Sequence, residues 1–98
     1  MIENHKQQER LIDALGNRAR LKILLTLAES STPLTIYKIG RFSGLGRSTI
    51  NRNIGKLIEA ELVERIIYGE ISLFTLNFEA EEVEALVKAF REMNLIRT

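Results

Sequence analysis

Residues 45–60 read Leu45-Gly46-Arg47-Ser48-Thr49-Ile50-Asn51-Arg52-Asn53-Ile54-Gly55-Lys56-Leu57-Ile58-Glu59-Ala60, and their periodicity decides the fold. Ile50, Ile54, Leu57 and Ile58 recur at helical spacing, so a helix over 47–60 has one face built for burial. The other face is polar, and the stretch from Arg47 to Lys56 contains no acid. Such a helix sits on a core along one side and presents the other side to a partner.

Working outward, Ser43-Gly44-Leu45-Gly46 is a turn. Before it, Thr35 starts a short helix in which Ile36, Ile39 and Phe42 are expected to form the buried face, with Lys38 and Arg41 outside it. Further upstream, Asn17 can cap a helix whose Leu21, Leu24, Leu25 and Ala28 fall at core spacing, and the cluster Ser30-Ser31-Thr32-Pro33 ends it. Leu11, Ile12 and Leu15 mark a first helix, interrupted at Gly16. Downstream the period changes. The runs Leu62 to Tyr68 and Ile71 to Leu76 are rich in β-branched and aromatic residues, and Gly69-Glu70 between them fits a tight turn, so a β-hairpin is predicted over 62–76. Asn77 is expected to cap a last helix with Glu79, Glu81 and Glu82 in its first turn, favourable to the helix dipole, and with Val83, Leu86, Val87, Phe90 and Met93 in one stripe. No repeat, low-complexity tract or linker-like stretch interrupts this order. The expectation is a single domain over 1–98, mainly α with a small β-hairpin (α+β), in the order α-α-α-α-β-β-α.

Composition narrows the function classes. No cysteine is present, which removes disulfides, thiolate metal sites and cysteine nucleophiles together. The single histidine, His5, lies in a polar stretch without partners for a metal, so neither a metal nor a cofactor is expected. No run of 18 or more apolar residues occurs and Met1 to Arg10 is polar, so neither a membrane span nor a signal peptide is expected and the location read from the sequence is cytoplasmic. The net charge of +1 hides an asymmetry. Residues 1–56 hold ten Lys/Arg against four Asp/Glu, whereas residues 57–98 hold four against nine. Lys38, Arg41, Arg47, Arg52 and Lys56 lie between Glu29 and Glu59 with no acid among them, the footprint of a surface that meets a polyanion. A solvated basic face is the plain alternative. No Ser-His-Asp set, Gly-rich phosphate loop or metal-ligand spacing can be assembled, so an enzyme is not expected.

Two helices joined by a short glycine-containing turn and followed by a two-stranded hairpin form the pattern of a winged helix-turn-helix. Leu45 to Arg52 together with Leu57 to Arg65 resembles the recognition helix and first wing strand of the ArsR and MarR types of prokaryotic regulator. Leu15-Gly16-Asn17-Arg18-Ala19-Arg20-Leu21-Lys22-Ile23-Leu24 is similar to the start of the second helix in the ArsR type. The resemblance covers about residues 15–76 and implies a DNA-binding regulator of transcription. Such families usually carry glycine at the helix end where this chain has Glu61, and a capping serine or threonine where it has Gly46. Without cysteine or a second histidine, the resemblance does not extend to metal sensing. The cysteine-free, helix-rich composition also resembles small archaeal regulators, including those of archaeal viruses and plasmids.

Projected at 100° per residue, the 47–60 helix turns Ser48, Arg52, Gly55 and Lys56 away from its apolar seam, with Thr49 and Asn51 on the flanks. Ser48, Thr49, Asn51 and Arg52 are the candidate base readers. Arg52 can offer two parallel hydrogen bonds to guanine, Asn51 can pair with adenine, and Ser48 and Thr49 can reach bases or phosphates. Arg18, Lys38, Arg41, Arg47 and Lys56 are candidate phosphate contacts, and Arg65 and Tyr68 are candidate wing contacts. Gly55 fits either close approach to a duplex or a tight contact inside the protein.

The stripe Val83, Leu86, Val87, Phe90 and Met93 offers more apolar surface than one edge helix needs. A homodimer interface completed by Leu11, Ile12 and Leu15 is expected, presenting two recognition helices to a palindromic site on double-stranded DNA. A stripe that only covers its own domain is the alternative. A protein-interaction module of the same fold, and an architectural protein without sequence preference, are the competing functions. No effector is readable.

Overall fold

The computed structural model describes residues 5–97. Its elements follow the predicted order: α1 (His5–Leu15), α2 (Arg18–Glu29), α3 (Ile36–Ser43), α4 (Arg47–Glu59), β1 (Val63–Tyr68), β2 (Ile71–Leu76) and α5 (Glu81–Glu92). The strands pair antiparallel with Val63 opposite Leu76 and Tyr68 opposite Ile71. Leu34 adds a single bridge to the open edge of β2, exchanging both backbone hydrogen bonds with Phe74 (2.9 and 2.8 Å). That bridge ties the base of the hairpin to the loop before α3.

The caps explain where the helices start. Asn17 accepts from the Arg20 N–H and Thr35 from the Lys38 N–H, each satisfying a first-turn donor that the helix itself leaves unpaired. The core gathers Ile23, Leu24, Leu27 and Ala28 of α2, Ile39 of α3, Ile50, Ile54 and Leu57 of α4, Phe74 and Leu76 of β2, and Val83, Val87 and Phe90 of α5. α2 is central because it touches α1, α3, α4 and β2. Two packed sides therefore bury the 23/24/27/28 stripe, and the expected positions Leu21 and Leu25 end up half-buried at its borders.

Three expectations are corrected. Phe42 does not face the core but is 63% exposed. Ser43, not Phe42, lies almost over Ile36 at 100° per residue, and it is buried, its hydroxyl accepting from the Leu45 N–H at 3.1 Å. Asn77 does not cap α5, which begins at Glu81 after Ala80 with no side-chain cap. Asn77 instead spans the end of α4 and the start of α5: its Nδ2 donates to the Glu61 carbonyl (2.9 Å), its backbone N–H to the Leu62 carbonyl (2.9 Å), and its Oδ1 accepts from the Glu79 N–H (3.2 Å). The acids in the first turn of α5 are accordingly Glu81, Glu82 and Glu84. Third, Val83, Val87 and Phe90 are buried within their own protomer, so the α5 stripe splits between an inner and an outer part.

Glu61 is the strained residue of the chain's middle, with φ at 64°. The Leu62 N–H reaches back to the Leu57 carbonyl (3.0 Å) and the Glu61 N–H to the Ile58 carbonyl (2.9 Å), the paired closure that ends a helix through a left-handed residue. Glycine is the usual occupant because a Cβ there costs about 1–2 kcal/mol. Glu61→Gly is expected to stabilise the fold by about 1 kcal/mol, raising the melting temperature by roughly 4–8 °C for a chain of this size in thermal denaturation followed by circular dichroism. An unchanged or lower melting temperature would show that Asn77 and the neighbouring backbone already relieve the strain.

Candidate nucleic-acid interface

α4 keeps the two-sidedness read from its sequence. Ile50, Asn53, Ile54 and Leu57 are buried, while Arg47, Ser48, Asn51, Arg52, Gly55 and Lys56 are exposed and Thr49 is half-buried. Of the four candidate base readers, Ser48, Asn51 and Arg52 thus share the outward face, and Thr49 sits on its border. Lys38 and Arg41 are exposed on α3, and Arg18 is exposed at the first position of α2. The outward face of α4 is basic and polar, with Glu59 at its far end, whereas α3 exposes Tyr37 and Phe42 beside Lys38 and Arg41.

The start of α4 has neither the side-chain cap found at α2 and α3 nor the first-turn acids found at α5. Gly46 supplies no side-chain cap, and no acid lies in the first turn, where Arg47 stands instead. α5 also begins without a side-chain cap but sets three glutamates there. Relative to a capping side chain, alanine at this position costs about 1 kcal/mol and glycine only about a few tenths, and either leaves the first-turn N–H groups to solvent or to an external anion.

Residue-by-residue projection did not single out Asn53, which proves to anchor the helix. It is buried, its Nδ2 donates to the Thr49 carbonyl (2.8 Å), and its Oδ1 accepts from the Arg20 Nε (3.0 Å). Arg20 also donates through Nη1 to the Asp13 carbonyl (3.3 Å) and lies 3.8 Å from the Asp13 carboxylate. One chain of polar contacts therefore runs from α1 through α2 to the middle of α4. The signal in the sequence was an asparagine on the Ile50–Ile54–Leu57 side of a helix, a place where an amide needs a partner. Tyr37 is the second addition: it is exposed on α3 and borders, with Arg47 and Asn51, the cleft between α4 and the hairpin.

The hairpin places its two candidates apart. Arg65 pairs in register with Phe74, away from the turn, and its Nε donates to the Ser72 hydroxyl at 2.9 Å. Tyr68 is at the turn and exposed, beside the exposed Ile67 and Ile71. Arg65, Ser72 and Gly55 all line the same cleft of about 530 Å³. Among the described residues Gly55 makes no internal contact that would explain it, since a Cβ built there meets no atom within 4 Å.

Away from this face, Ile12 and Met93 are exposed and Leu11, Leu15 and Leu86 are half-buried, with Leu95 exposed after α5. Arg10 pairs with Glu82 and so ties α1 to α5. Among the described residues no group of three or more His, Cys, Asp or Glu is placed to hold a metal ion, and no helix is long and apolar enough to cross a membrane.

No family model and no curated protein matches the chain. Solved structures do. HlyU from Vibrio cholerae superposes with a TM-score of 0.79 at 22% identity, covering 95% of this chain and 97% of the other. The homodimeric winged helix-turn-helix DNA-binding domain of a possible ArsR-family regulator from Mycobacterium bovis gives 0.72 at 26% identity, over 91% and 79%. The repressor BigR from Xylella fastidiosa gives 0.76 at 21% identity, over 92% and 88%. The fold is a winged helix-turn-helix. Within this winged helix, α3 and α4 are the helix-turn-helix and β1–β2 the wing.

The Arg20–Asn53 bond sets the first test of this arrangement. Arg20→Ala strands a buried amide oxygen and is expected to cost about 1–3 kcal/mol in urea denaturation. Adding Asn53→Ala should cost clearly less than the sum of the two single changes, because each single change already removes the bond. Additive losses would show that the two residues act independently.

Proposed function

We propose that the chain is a homodimeric regulator of transcription that binds double-stranded DNA by sequence, in the cytoplasm, as one domain. The observation that carries this reading is the outward face of α4: Ser48, Asn51, Arg52 and Lys56 exposed together, flanked by Lys38, Arg41 and Arg47 and free of acids until Glu59. α4 enters the major groove, where Arg52 and Asn51 read base edges and Ser48 and Thr49 reach bases or phosphates. Arg18, Lys38, Arg41, Arg47 and Lys56 hold the phosphates, and the uncapped start of α4 adds first-turn N–H donors to that set. Arg65 and Tyr68 are the wing contacts. Two of the structural neighbours, the transcriptional repressor BigR and the homodimeric DNA-binding domain from Mycobacterium bovis, support the same reading.

The dimer is proposed through the outer part of the terminal helices. Val83, Val87 and Phe90 serve the protomer's own core, which leaves Ile12, Met93 and Leu95, bordered by Leu11, Leu15 and Leu86, as the apolar surface for a second copy. A two-fold axis there would offer two α4 helices to a palindromic operator, with half-sites about one helical turn apart. A protein-interaction role finds its support in the apolar tip of the hairpin, Ile67, Tyr68 and Ile71. An architectural role would need no more than the basic face.

Selection of bound duplexes from a random-sequence pool at about 150 mM salt tests the three readings, because screening weakens unspecific attraction there. A two-fold motif supports the regulator, bulk binding without a motif the architectural protein, and no binding the interaction module. On a selected duplex, Arg52→Ala is expected to weaken binding by about 1–3 kcal/mol and relax preference at one base position, whereas Lys56→Ala should weaken all sequences alike and lower the salt slope by about one unit. Identical behaviour of the two variants would overturn the division of roles. Met93→Glu, which places charge on the exposed surface without touching the core, is expected to give monomers in analytical ultracentrifugation. A persisting dimer would move the interface elsewhere.

A further inference from the structure

Gly55 is the ninth residue of the 13-residue helix α4, exposed, and without a neighbour to justify it. A glycine inside a helix costs about 1 kcal/mol relative to alanine. Among the described residues nothing requires the cost, because the space over Gly55 is open. The reason for a bare backbone there lies outside the protomer.

Its direction narrows what approaches. At 100° per residue Gly55 falls between Asn51 and Arg52 on the helix surface, at the border between the outward face of α4 and the cleft that separates it from the wing. Arg47 and Arg65 both line that cleft, against a single carboxylate, Glu70. The Arg65 Nε is committed to Ser72, which steadies the guanidinium against the cleft wall.

Duplex geometry supplies the rest. A major groove and the neighbouring minor groove are separated by one sugar–phosphate strand, so a helix in the first and a hairpin beside the second must have that strand between them. The major groove is about 12 Å wide and a helix with its side chains about 10–12 Å across, which leaves little clearance at the groove wall. We infer that one sugar–phosphate strand of the bound duplex runs through the cleft between α4 and the wing, and that Gly55 is the position at which the absence of a side chain admits it. Arg47 and Arg65 face that strand from either side. This rests on the DNA-binding reading proposed above.

The test is the affinity of the wild type, Gly55→Ala and Gly55→Leu for a duplex recovered from the random pool, with a thermal melt of each protein. Alanine and leucine have similar helix propensity but different bulk, so the pair separates space from stiffness. The expected result is a melting temperature for Gly55→Ala at or above that of the wild type, together with a graded loss of affinity that reaches roughly tenfold or more for leucine, the size of one overpacked contact. Equal affinity of all three proteins overturns the inference and leaves the DNA-binding reading standing. Equal losses for alanine and leucine also overturn it, because stiffness rather than space would then be the cause. If leucine prevents folding, the alanine variant decides alone: retained affinity with a higher melting temperature rejects the strand contact. A wild type that binds no duplex removes the DNA-binding reading and this inference together.

Discussion

Everything in this small fold depends on removing one face of α4 from water. Ile50, Ile54 and Leu57 are each at most 5% exposed, and full burial of such a side chain is worth about 1.5–3 kcal/mol. No single neighbour can cover that seam. α2 and α3 close it from one side and the hairpin from the other, and Leu34 bridges to Phe74 so that the hairpin stays in place. The order of elements along the chain is thus also a packing solution around a single helix.

Within that seam the polar link from Asn53 to Arg20 has a different task from its apolar neighbours. A single hydrogen bond contributes a net of about 0.5–1.5 kcal/mol, less than one buried leucine, so it is not what holds α4 in place. It is directional, however, and apolar burial is not. A helix held only by Ile50, Ile54 and Leu57 can roll by some degrees at little cost, whereas a roll breaks the 3.0 Å bond from Arg20 and strands a buried amide. The outward residues Ser48, Asn51 and Arg52 are consequently fixed in azimuth by a residue that never reaches the surface. A comparable division appears at the end of the helix, where Asn77 joins the strained Glu61 and the following Leu62 to the approach of α5.

Charge is partitioned along the same geometry. Five of the ten bases of the first half lie on α3 and α4, with no acid between Glu29 and Glu59, and four of the nine acids of the second half lie on α5. The result is a chain of nearly neutral total charge with one basic face, which favours approach of a polyanion to that face without coating the whole surface. The uncapped starts of α4 and α5 follow the division too. The uncapped start of α4 is balanced by no acid, and that of α5 by three.

The sequence by itself determined the elements and their order, because periodicity, caps and turn residues act over a few positions. The 47–60 helix, the hairpin around Gly69-Glu70, the cap at Asn17 and the start of a helix at Thr35 were all legible for that reason. It also determined which side of α4 is apolar and that the opposite side is acid-free up to Lys56. Only the tertiary structure decided which apolar residues are shared between elements and which are left over. Phe42 and Ser43 are adjacent on α3, and the cover offered by the rest of the fold, not hydrophobicity, assigns the inner place to the serine. Val83, Val87 and Phe90 form one stripe with Leu86 and Met93 in the sequence, yet the core takes the first three and leaves Met93 outside. Asn53 and Arg20 are 33 residues apart, and Asn77 and Glu61 are 16 apart. Local rules have no access to partners at such distances, since a buried amide finds its donor only when separate helices have been brought together.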